Sequence, residues 1–119
     1  MNSYQVFFRY TFSASEKPSV VLRQINCQKL FDCFSEKITV MFPQFILEHD
    51  SKIITEFNKE KKYYEVFGFL LLKAEQNDID EFYNFHVIDN CISEFLDDFL
   101  DLNIYISNIE CNVNVKAIS

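Results

Sequence analysis

Two histidines, four cysteines and a run of carboxylates are the side chains in these 119 residues with chemistry to offer. His49 stands between Glu48 and Asp50, and His86 sits one helical turn before Asn90 and close to Asp89. An imidazole beside a carboxylate can serve as a general base or enter a metal site. Neither histidine has the further sequence neighbours that would complete a triad or a three-ligand metal set, and no HExxH, GxSxG or catalytic-cysteine context occurs. The pattern assigns no catalytic residue, no metal site and no cofactor. A small enzyme built on this chain would have to use His49 or His86.

The cysteines, Cys27, Cys33, Cys91 and Cys111, are spread out and form no CxxC pair. In a chain this apolar they are expected to be reduced thiols acting as small buried hydrophobes. Cys91 lies five residues after His86, off the spacing of three or four that makes helical neighbours, so a thiol–imidazole pair is not expected there.

The carboxylates are the most uneven feature. Between Asp78 and Asp101 stand eight acids and no Lys or Arg, so the remainder of a chain of net charge −7 sums to +1. Asp78, Asp80 and Glu81 are expected in the first turn of a helix, where they complement its dipole. Asp97, Asp98 and Asp101 fall in its last turns, where the dipole disfavours an anion by about 0.3–1 kcal/mol each. Stability alone would not choose them. They suggest a partner-binding ridge of Glu94, Asp97, Asp98 and Asp101 with Asp89 beside it, presented to a basic protein such as a toxin, a nuclease or another nucleic-acid-acting enzyme. The bland alternative is a charged face that keeps an aromatic protein in solution.

The elements that would carry these groups follow from periodicity. Tyr4, Val6, Phe8, Tyr10 and Phe12 alternate with Gln5, Phe7, Arg9 and Thr11, the pattern of a strand with one buried face. Pro18 marks a first turn, and Val20, Cys27, Phe31, Phe34, Ile38 and Phe42 keep to one stripe of a helix running to Pro43. From Phe45 to Phe57 the pattern fits one bent strand or a short hairpin, with a turn at Asn58 to Lys61. Tyr63 to Ala74 is apolar on both alternating faces, the mark of a central strand or of one whose outer face meets a partner. Asp78 and Glu81 have capping-box spacing for a second helix, whose stripe is Phe85, Ile88, Ile92, Phe95, Leu96, Phe99 and Leu102. A last strand covers Ile104 to Ile106 and Glu110 to Lys116.

The order β-α-β-β-α-β in a chain of single-domain size predicts one α+β domain over residues 1–119. The expected fold is ferredoxin-like (split βαβ), an antiparallel sheet of about four strands with two helices on one face. The other face would then be open, with Phe7, Tyr63, Phe67, Phe69 and Leu71 forming an apolar patch suited to a homodimer interface.

Composition narrows the function. One glycine leaves nothing for a Gly-rich phosphate loop, and a pI near 4.7 opposes direct binding of nucleic acid. No apolar stretch is long enough to span a membrane, and the N-terminus lacks a signal-peptide pattern, so a cytoplasmic protein is expected. Together these features suggest a small, acidic, non-enzymatic protein-binding domain. An inhibitor of the immunity-protein, antitoxin or anti-defence kind fits them best, with a self-associating structural or assembly protein as the alternative.

Overall fold

The computed structural model describes residues 1–100 and 103–118, the side chain of Phe99 aside, so the expectations that fell on Asp101, Leu102 and the Phe99 ring lie outside the described residues. The alternation after Tyr4 becomes strand β1 (Asn2–Ala14), and the doubly apolar segment becomes β4 (Tyr63–Ala74). These two lie side by side and antiparallel in the middle of the sheet, Phe7 opposite Phe69 and Phe8 opposite Gly68. Strand β5 (Ile106–Ala117) pairs with the far edge of β1, with a register shift between Thr11 and Phe12. It is one continuous strand beginning at Ile106, rather than two pieces, and Ile104 and Tyr105 precede it.

The other edge of β4 carries β2 (Ile46–Leu47) and β3 (Lys52–Asn58), both antiparallel to it. These are the two arms of the bent strand that the sequence allowed. They are separated at 48–51, where Ser51 Oγ donates to the Glu48 carbonyl at 2.8 Å and accepts from Leu71 N–H at 2.9 Å. Gly68 makes the close approach of β3 possible. Its φ is +151°, and a Cβ there would collide with the Lys52 carbonyl oxygen, a conformation and a contact that only glycine accepts without strain.

The two expected helices are each divided. Helix α1 (Pro18–Gln24) stops before Ile25, and α2 (Cys27–Met41) starts afresh because the Asn26 side chain caps it, accepting from Lys29 N–H at 3.1 Å. The buried stripe shifts accordingly: Val21, Ile25 and Leu30 are buried, while Val20, Cys27 and Phe31 are only half-buried. Helix α3 (Gln76–Asn84) ends where His86 turns left-handed at φ 53°, and that residue is also the N-cap position of α4 (Val87–Phe99). The first helix of this pair starts at Gln76, with Glu75 rather than Asp78 at its N-cap and no side-chain cap bond. Only Asp78 of the three acids falls in the first turn. The break also throws Phe85 outward, 55% exposed, and puts Ile79, Phe82 and Val87 in the core instead.

Among the described residues the domain is therefore α+β with five antiparallel strands and four helices, not about four and two. The strand order is β3-β4-β1-β5, with β2 preceding β3 along the same edge of β4, the order expected of a split βαβ sheet. The core lies between the sheet and the helices. Tyr4, Val6, Phe8, Tyr10 and Phe12 of β1 meet Leu30, Phe34 and Ile38 of α2 and Ile88, Ile92 and Phe95 of α4. The Phe8 and Phe34 rings are 5.8 Å apart, and Phe12 stacks on Tyr64 at 5.3 Å. Each fully buried aromatic of this set contributes about 1.5–3 kcal/mol by leaving water. No described helix is long and apolar enough to cross a membrane.

Candidate protein-binding surface

With every helix on the inner side, the odd-numbered residues of β1 and β4 face outward. Phe7, Tyr63, Phe67, Phe69 and Leu71 share that face, as expected. Phe7 and Phe69 meet edge to face with centroids 6.0 Å apart. Strand β3 adds Ile54 opposite Phe67, and β2 adds Ile46 opposite Lys73. Phe7 is 38% exposed and Ile54 46%, around a shallow depression of about 510 Å³ floored by Gly68. Ile54 was missed because Ile53 and Ile54 are both apolar. The charged Lys52 and Glu56 on either side of Ile54, at a spacing of two, carried the signal that placed it on the outer face.

Polar groups frame this patch. Arg9 forms an ion pair with Glu65 and donates to Tyr63 Oη at 3.0 Å, its guanidinium 6.0 Å from the centre of the Tyr63 ring. The hydrogen bond to Glu65, then that to Tyr63, holds the Arg9 pKa above its ordinary value. Tyr63 is thus engaged by Arg9 and forms the polar border of the patch rather than its middle.

The acidic residues are arranged differently from the expected ridge. Glu94 is held by Lys37 of α2, whose Nζ donates to both carboxylate oxygens at 3.0 Å, a bond that also raises the lysine pKa. Asp98 lies with Glu94 on the α2 side of α4, over a hollow lined by Cys33, Lys37 and Cys91. Asp89 lies on the other flank, where Ser93 Oγ donates to it at 3.4 Å and Ser93 in turn contacts Tyr10 Oη at 2.9 Å. Asp97 is exposed between the two flanks, since successive residues are about 100° apart around a helix. Asp97 and Asp98 form no ion pair among the described residues. Asp78 and Asp80, on α3, accept from Gln44 and Gln76.

The catalytic candidates stay apart. His49 is exposed beside Phe31, ring centroids 6.4 Å apart, in a depression it shares with Cys27, Ser51 and Lys52. His86 lies at the α3–α4 break near Asp89 and Cys111. Burial pushes the thiols of Cys91 and Cys111 up to about 12, so neither supplies a thiolate near neutral pH. Among the described residues no cluster of three or more His, Cys, Asp or Glu could hold a metal ion. All four cysteines are free.

No family model matches the chain, and no curated protein matches it. Among solved structures it is similar to a de novo designed protein described as Foldit4, at 12% identity and TM-score 0.38, with 94% of this chain and 98% of that one covered. It is also similar to a de novo designed protein with a ferredoxin fold, at 12% identity and TM-score 0.38, covering 92% and 84% respectively.

Proposed function

We propose that this chain is a non-enzymatic protein-binding domain and that its working surface is the open outer face of the sheet. The observation that carries this is the position of Phe7, Ile54, Phe67 and Phe69, contiguous on a face that no described helix covers. A scattered exposed hydrophobe needs no explanation, but a connected aromatic patch exposed on a monomer is the usual sign of an interface. Burial of both sheet faces is also what the doubly apolar pattern of β4 calls for.

A second reading keeps the inhibitor idea, with Asp97 and Asp98 as the contact for a basic toxin or nuclease. What favours it is that both are exposed near a helix C-terminus, where the dipole works against them. The pairing of Glu94 with Lys37 and the spread of the acids over two flanks weaken the ridge as a single surface.

Affinity capture from lysate of the native source separates the two. Wild type, Phe7→Asp and Asp97→Lys/Asp98→Lys are compared, scoring both foreign proteins and untagged copies of the chain. Retention that is lost in Phe7→Asp and kept in the aspartate variant is expected. The reverse result would hand the function to the helix, and retention of nothing by wild type would sink the sheet face as a binding surface.

A further inference from the structure

Resting on the reading of the outer face as a binding surface, we infer that its occupant is a second copy of this chain, packed face to face with strands antiparallel. The two-fold axis runs across the strands, between the level of Phe7 and that of Arg9. The charges on the face select this arrangement. Register places Lys116 level with Gln5, at one end of the patch, and Lys52 level with Phe7, on the same side of its middle. Glu110 and Glu56 are both level with Thr11, at the other end. Each half thus has one charge on β3 and one on β5, and none of the four is in an ion pair among the described residues.

Two sheets can be stacked by a two-fold axis along the strands or across them. An axis along the strands sets lysines over lysines and glutamates over glutamates. An axis across them sets Lys116 over the partner's Glu110 and Lys52 over the partner's Ile54, diagonal to the partner's Glu56, and repeats these contacts by symmetry. It also lays Phe69 against the partner's Phe67, and Phe7 against the partner's Arg9. The Lys116–Glu110 contact and the Phe67–Phe69 contact therefore agree on one geometry. Four strands about 4.8 Å apart and seven residues at about 3.3 Å each give a footprint of roughly 19 by 23 Å. That is at the small end for a specific contact, so the dimer forms in a concentration-dependent way.

Sedimentation velocity of the purified chain over a concentration series tests this, in low and high salt. Wild type should dimerise, less so as salt rises. Phe7→Asp and, independently, Ile54→Lys should weaken the dimer by about 100-fold or more while circular dichroism stays that of wild type. Lys116→Glu and Glu110→Lys should each weaken it about tenfold, and the double variant should recover it, because the swapped pair meets across the axis. A wild-type monomer at every concentration overturns the second copy as occupant; capture of another protein, lost on Phe7→Asp, would then still uphold the face. A dimer that survives Phe7→Asp and Ile54→Lys, as pairing through the free edge of β5 would, overturns the inference as well. Single charge variants with no effect would overturn the antiparallel orientation.

Discussion

The two faces of the sheet are made by neighbouring residues of the same strands, yet they answer to different partners. On the inner face Phe8 packs on Phe34, and the residues around them are buried to the last few per cent of their surface. On the outer face Phe7 and Phe69 meet at a similar centroid distance, but water reaches both rings. One residue of offset along β1 separates a contact that specifies the fold from one that the isolated fold does not need. The contrast teaches that aromatic content alone locates no function; what matters is which aromatics the helices leave uncovered.

The comparison breaks first on matched truncations. Phe34→Ala should lower unfolding free energy by about 3–5 kcal/mol, since it opens a cavity in a closely packed layer. Phe7→Ala, measured by the same urea titration below the dimerisation range, should cost under about 1 kcal/mol. Similar losses at the two sites would mean that the outer face is as much a part of the monomer's core as the inner one.

The core packed against the inner face also predicts an alkaline limit. Burial holds the Cys91 thiol at about 12 against an ordinary 9.0, so the folded state keeps a proton that the unfolded chain gives up above pH 9. The stabilisation is complete below pH 9 and is lost as pH rises towards 12. Tm should fall across that window, and Cys91→Ala should flatten the fall relative to its own value at pH 8. A slope unchanged in Cys91→Ala would assign the alkaline loss elsewhere, for instance to Tyr10, whose hydroxyl burial also drives upward.

The smallest effect is expected from the helices' outer surface. Lys37→Gln removes the ion pair with Glu94, but Glu94 is well exposed and Lys37 only half-buried, so thermal stability should change by less than about 0.5 kcal/mol. A larger loss would show that the pair pins α2 to α4 and that this surface shares in holding the core together.

The strands were legible in the sequence because β1 and the inward set Cys111, Val113 and Val115 keep their alternation, while β4 is apolar on both faces as a central strand is. The divided helices were not. Asn26 and His86 sit inside stretches whose apolar period continues across them, so the pattern gave no cause to stop. What stops the helices is local chemistry, an Asn side chain that captures Lys29 N–H and a left-handed backbone at His86. The outer patch was legible for Phe7 from the alternation of β1, and for Phe67, Phe69 and Leu71 from the doubly apolar pattern of β4. Ile54 and the pairing of Glu94 with Lys37 were not, because both depend on which segments lie together in space.

Gly68 bears on how this fold can change over generations. The inner aromatics and aliphatics can exchange with one another at moderate cost provided volume is kept, so their identities are free to drift. Position 68 has no such latitude: any side chain there meets the β3 backbone, and the conformation itself excludes other residues. In a saturating mutational library the depleted column should be 68, ahead of most of the core. A distant relation of this chain would be better recognised by a lone glycine in the middle of its central strand, facing an edge strand that breaks, than by any of its phenylalanines.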